Sequence, residues 1–165
     1  MRTAFRDPLT VAIAAFLREI GLGIRAGAVA GKTALPGIDI DNGALVVDDD
    51  KLLYPGDVLH EAGHLAVVTA QRRAAFHHDV GNDPAEEMMA MAWSYAAALH
   101  LGIDPTVVFH ADGYRGGSES ILASFRLGPG IGTPMLDYVG LTHGGTRPLP
   151  PGAKLYPAMI RWLRE

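Results

Sequence analysis

The 165-residue sequence contains no cysteine. Disulfides and thiolate metal sites are therefore excluded, and any bound metal must be held by His, Asp, Glu and water. No apolar run approaches the roughly 18 residues that a transmembrane helix requires. A basic cluster is also missing. The 14 Lys and Arg are scattered among 18 Asp and Glu, the net charge is −4, and Arg72-Arg73 is the only adjacent basic pair. This argues against nucleic-acid binding by phosphate neutralisation as a main role. Internal repeats and low-complexity tracts are absent too.

What is present fits a globular chain with a real core. Hydrophobic residues make up 48% and charged residues 19%, and the length suits one domain over residues 1–165. The first thirty or so residues faintly imitate a signal peptide, with a basic start and an apolar run from Leu9 to Leu17. Arg18-Glu19 cuts that run short, and Leu9, Ile13, Leu17 and Ile20 share one helical face. An amphipathic helix beginning near Asp7-Pro8 is the better reading. With neither signal nor membrane span, a cytoplasmic location is expected.

Further along, "GIDIDNGALVVDDD" (37–50) reads as strand, turn and strand, because Asn42-Gly43 supplies the positive φ angles of a tight hairpin. The stretch 54–76, "YPGDVLHEAGHLAVVTAQRRAAF", then reads as one helix of about four turns or more. A loop, "HHDVGN", leads to a second long helix over 83–101. Gly102 ends it, and Asp104-Pro105 starts a short one. Residues 111–155 are rich in Gly and Pro, with short helices expected at 118–127 and 133–141. "PAMIRWLRE" (157–165) has the pattern of a closing amphipathic helix. The expected class is α+β, mainly helical, with a small antiparallel hairpin ahead of the 54–76 helix.

That helix carries "HEAGH". A repeat of about 3.6 residues puts His60 and His64 on one face, one turn apart, where two imidazoles can share a metal. Glu61 stands beside them, placed to take a proton from an activated water. The motif arises by chance about once in a hundred chains of this composition. The plainer alternative is a core helix with two hydrogen-bonded histidines. Apolar flanks from Val58 to Val68 would bury the helix and dry the site. Gly63 costs roughly 1 kcal/mol relative to Ala in mid-helix, and it permits close approach by a neighbour.

Two histidines do not complete a site. No further His-x-x-Gly-x-x-His follows His64, which excludes the metzincin arrangement. The only glutamates after the motif in the body of the chain are Glu86, Glu87 and Glu119, and the first two open the second long helix, 22 and 23 positions beyond His64. Asp83-Pro84-Ala85-Glu86 has capping-box spacing, with Asp83 as N-cap and Glu86 at the third helical position. Glu86 then has a structural task, while Glu87 points roughly 100° away. Glu87 is the favoured third ligand. Glu86, His77, His78 and Asp79 are alternatives, and His77-His78 reads more simply as a solvated loop pair.

His-Glu-Ala-Gly-His after a short hairpin, followed by a Glu-led, Ala-rich helix, resembles the ImmA/IrrE-like metallopeptidases, a gluzincin-type group. The resemblance covers roughly residues 37–110. That group's second motif commonly reads Glu-Ala-Asn-x-Phe-Ala, with its first Glu as ligand. Set from Glu87, "EMMAMA" places Met91 at the aromatic position and Ala92 at the next. Met89 stands where the group has Asn. "HEAGH" alone also looks like FtsH-type proteases, but no ATPase segment accompanies it here. The resemblance implies a zincin-like fold, a zinc ion on His60, His64 and Glu87, and hydrolysis of peptide or protein substrates with Glu61 as general base. The hairpin edge offers a place for an extended peptide to pair. The rival expectation is a catalytically silent regulatory or binding protein on the same scaffold. Hydrolysis of a non-peptide amide is excluded by no residue.

Several other patterns carry less. "AGAVAGKT" (26–33) mimics a phosphate-binding loop, but Ala26 occupies the position where the first glycine is needed. "GPGIG" (128–132) reads as a turn and "DDD" (48–50) as a solvated strand end. Tyr95, His110, Tyr114 and His143 are chemically able to stabilise an oxyanion. Of these, Tyr95 reads as a core residue, and His110 and Tyr114 lie in a loop that can rim a cleft.

Overall fold

The structure is a computed structural model describing residues 4–165; the basic start at Met1-Arg2 lies outside them. It opens with α1 (Pro8–Glu19). The Asp7 carboxylate accepts the Thr10 N–H at 2.7 Å, and Pro8 needs no partner in the first turn. Three strands follow: β1 (Ile24–Ala26), β2 (Ile38–Asp41) and β3 (Ala44–Val47). β2 and β3 form the expected hairpin, turning through Asn42 (φ 49°) and Gly43 (φ 79°). The sheet is mixed rather than purely antiparallel. Its order is β1-β3-β2, and β1 runs parallel to β3. β2 is consequently an edge strand.

The helix expected over 54–76 is two helices. α2 (Gly56–Val67) stops where Val68 turns extended (φ −94°, ψ 159°), and α3 (Ala70–Ala75) starts under a Thr69 side-chain cap. The break is stable because the carbonyls at the end of α2 find cationic and backbone donors. Arg73 donates to Leu65 O at 2.6 Å and to Val68 O at 3.2 Å, and Arg164 N donates to Ala66 O at 2.9 Å.

α4 (Pro84–His100) packs against α2. At the crossing, a Cβ on Gly63 would stand 2.8 Å from Ala90 O, so only glycine lets the helix backbones approach this closely. Short 3₁₀ turns at Pro105–Val107 and Tyr114–Gly116 precede α5 (Ser118–Arg126) and α6 (Thr133–Tyr138).

The closing segment is not the amphipathic helix that its pattern suggests. It lies over the core as an irregular strap. Ile160 N donates to Leu141 O at 2.9 Å, and Trp162 O accepts the Trp93 indole N–H at 2.9 Å. Burying Trp162 edge-on against Phe16 (5.1 Å) outweighs local helix preference. The core runs continuously from Ile13 and Leu17 of α1 through Leu45 and Val47 of β3 to Leu59 and Leu65 of α2 and Trp93 of α4, all fully buried. Each such aliphatic side chain contributes roughly 1.5–3 kcal/mol. The result is a mixed α and β fold with a small three-stranded sheet. No helix among the described residues is long and apolar enough to cross a membrane.

Candidate metal centre

Helical phase in α2 and α4 brings three donors to one point. His60 Nε2 and His64 Nε2 are 3.2 Å apart. Glu87 Oε1 lies 3.4 Å from His60 Nε2, and Glu87 Oε2 lies 2.7 Å from His64 Nε2. All three donors fall within 4.8 Å of one another. A tetrahedral ion with bonds near 2.0–2.1 Å places its donors about 3.3 Å apart. Two of the three spacings match that value, and the third is a hydrogen bond that an ion would open slightly. Two imidazoles and a carboxylate, without thiolate, suit a divalent ion such as zinc. His64 is buried, whereas the Glu87 side chain is 40% exposed, so the group opens to solvent on the α4 side.

Electrostatics favour the ligating forms of His60 and Glu87, whereas His64, against the burial that lowers it, is raised by its hydrogen bond to Glu87 and by the Glu61 and Glu87 charges. Burial, helped by the neighbouring His64 charge, pushes His60 down to about 4 despite the pull of Glu87, so this imidazole stays neutral as ligation requires. Against the opposing effect of its own burial, Glu87 is held below the ordinary carboxylate range by its hydrogen bond to His64 and by both imidazoles.

Glu86 faces elsewhere. It is buried and forms an ion pair with Arg72, whose second nitrogen lies 3.2 Å from Oε2. Asp83 caps α4 as expected, accepting from Ala85 N at 2.8 Å and Glu86 N at 3.3 Å. The capping-box role read into Glu86 is not filled: its carboxylate turns to Arg72 instead of reaching back to the Asp83 N–H. His77 and His78 are exposed and stay out of the metal donor group. His78 Nδ1 instead meets both Asp39 oxygens at 3.0 Å. Asp79 is absent from the donor group too.

Glu61 is buried, yet it accepts no hydrogen bond from any described residue. Burial, with Glu87, Asp57 and Asp79 nearby and only His64 opposing, pushes its carboxyl up to about 7. A buried carboxyl without a hydrogen-bond partner is costly, and such groups cluster at functional sites. Glu61 lines a cleft of about 420 Å³, walled by Lys32, Leu35, Asp39, His78 and Val80. The cleft runs beside β2. The outer half of that edge is already taken, since Ile40 O accepts His78 N at 2.8 Å and Ile40 N donates to Asp39 Oδ1 at 2.8 Å. Ile38 N donates to Leu35 O at 3.2 Å. An extended peptide thus finds fewer free backbone groups on the hairpin edge than the sequence suggests.

The four oxyanion candidates disperse. Tyr95 packs in the aromatic core, stacked on Phe125 at 4.6 Å. His110 Nε2 binds Asp57 Oδ1 at 2.8 Å, with its ring stacked on Tyr54 at 3.8 Å. His143 offers its carbonyl to Tyr156 N. Tyr114 does reach the centre, but its Oη lies 2.7 Å from His60 Nδ1, on the ring nitrogen turned away from the other donors. Compared with known proteins, the chain matches no family model, no curated protein and no solved structure.

Proposed function

We propose that the protein is a zinc-dependent peptidase with a zincin-like arrangement of helices and sheet. The observation that carries this reading is the convergence of His60, His64 and Glu87 on one point beside buried Glu61, which has no hydrogen-bond partner among the described residues. His60 and His64 would hold the ion through Nε2 and Glu87 through its carboxylate. Zinc in such a set supplies Lewis-acid activation of water and of a carbonyl.

The chain's own part rests on Glu61. Its carboxyl, raised by burial, takes a proton from the attacking water and returns it to the departing amine. The cleft beside β2 holds the substrate against Glu61, and Leu35 and Val80 keep part of its wall apolar. Because Ile38 N, Ile40 N and Ile40 O are already bonded, the substrate's main chain pairs with β2 by displacing Leu35 O or His78 N. Cytoplasmic location belongs to the same proposal, and cell fractionation tests it.

Elemental analysis of the purified protein should find one zinc per chain. Glu61→Gln should keep the metal and lose chelator-sensitive cleavage of a peptide library. A Glu61→Gln variant as active as wild type removes the mechanism. The second reading, a silent binding protein, draws on the occupied β2 edge, and metal without cleavage of any peptide or protein supports it.

A further inference from the structure

Tyr114 is joined to His60 across 54 positions of chain. Its ring stands edge-on to the imidazole, at 5.2 Å and 89°. On its other side it stacks on Phe109 at 5.2 Å and 22°. The hydroxyl thus meets Nδ1 while the ring behind it is packed against Phe109.

The backbone that delivers this contact is unusual. Tyr114 and Arg115, neither of them glycine, have φ of 52° and 54°, and Gly116 follows at 83°. Two adjacent side-chain-bearing residues in the left-handed region persist only where their surroundings hold them. Here Gly116 N donates to Gly113 O and Gly117 N to Tyr114 O, both at 3.0 Å. Buried Ser118 donates its hydroxyl to His110 O at 2.6 Å, tying the loop's two ends together.

An imidazole that ligates through Nε2 in its neutral form carries its proton on Nδ1. The group opposite Nδ1 must then be an acceptor, and the Tyr114 oxygen is one. We propose that Tyr114 is a positioning residue for His60: it accepts the Nδ1–H, and so fixes the tautomer and ring angle that aim Nε2 at Glu87 and His64. This inference rests on the metal-site reading. It also withdraws Tyr114 from the oxyanion role, because the same hydroxyl cannot face both sides of the ring.

The probe is zinc alone, titrated in competition with a chromophoric chelator into wild type and Tyr114→Phe. Phenylalanine keeps the ring packed between Phe109 and His60 and removes only the hydroxyl, and thermal melts of the metal-free proteins check that the fold is kept. The expected result is roughly 10- to 100-fold weaker zinc binding in the variant. Equal affinity in the two proteins overturns the assignment of Tyr114 and leaves the metal site standing. A wild type that binds no zinc overturns the metal site itself. A measurement without substitution reads the same contact. In zinc-loaded wild type, histidine ¹⁵N NMR should show His60 protonated at Nδ1, with that proton exchanging slowly. A His60 protonated at Nε2 contradicts the proposal.

Discussion

His64 Nε2 and Glu87 Oε2 lie 2.7 Å apart, while the adjacent Glu86 turns its carboxylate to Arg72. Two neighbouring glutamates on one helix thus face different elements. Glu87→Ala should therefore reduce zinc affinity by more than about 100-fold, beyond what loss of a supporting contact produces. Glu86→Ala should keep the metal and lower stability, since it strips a buried partner from Arg72. Chelator competition and a urea titration on the two variants separate these outcomes. Metal loss in Glu86→Ala with retention in Glu87→Ala reverses the ligand assignment.

Buried Asp57, one turn of α2 before the metal donors, pairs with half-buried His110, with Nε2 and Oδ1 at 2.8 Å. Burial raises Asp57 above its ordinary value, and His110 offsets part of that. His110→Ala leaves the Asp57 carboxyl without its partner, a change that costs about 1–3 kcal/mol for a hydrogen-bonded group left unsatisfied. Adding Asp57→Asn should recover part of the loss. Urea midpoints for the single and double variants check this. A single variant as stable as wild type shows that the pair contributes nothing to stability.

The C-terminal region is pinned by Asp137, which is buried and accepts hydrogen bonds from Arg147, Gly144 N and Thr146. The Arg147 guanidinium, with Gly144 N–H and Thr146 assisting against burial, holds Asp137 down at about 2, against 3.8 for a free carboxyl. The depressed value means that the folded state binds this proton less readily than the unfolded chain. Its stabilisation is present above about pH 4 and is lost as pH falls through about 2. Wild type should lose stability more steeply than Asp137→Asn across that window. Parallel slopes in acid titrations of the two proteins would contradict the depressed value.

The site was more legible in the sequence than the fold around it. His60, His64 and Glu87 were readable because helical phase is local, and because Asp83-Pro84 fixes where α4 begins. The break at Val68 was not, since it depends on Arg73 and on Arg164, 98 positions beyond Ala66, capping the end of α2. β1 is three residues long, and its parallel partner lies beyond a crossover, so alternation has no room to show. In the closing segment, Met159, Trp162 and Leu163 have helical spacing, but the backbone beside them bonds to Leu141 and α2 instead of to itself. Tyr114 was visible only as a polar group in a glycine-rich loop. Its contact with His60 depends on a left-handed turn at non-glycine residues, which no local pattern announces.

Gly63 connects packing to the site most directly. Judged by helix propensity alone, Gly63→Ala should stabilise α2 by roughly 1 kcal/mol. The new Cβ would stand 2.8 Å from Ala90 O and 3.1 Å from Ala90 Cα, and neither is the movable end of a side chain. Overpacking of this kind costs about 1–3 kcal/mol, so the net effect should be destabilising. Relief requires α2 and α4 to separate, and Glu87 lies one turn before Ala90 on α4. Stability and zinc affinity should therefore fall together, and a urea titration alongside chelator competition reads both. A Gly63→Ala variant of raised stability and unchanged affinity shows that the two helices can yield without moving the third donor, and refutes the claim that their close approach sets the geometry of the site.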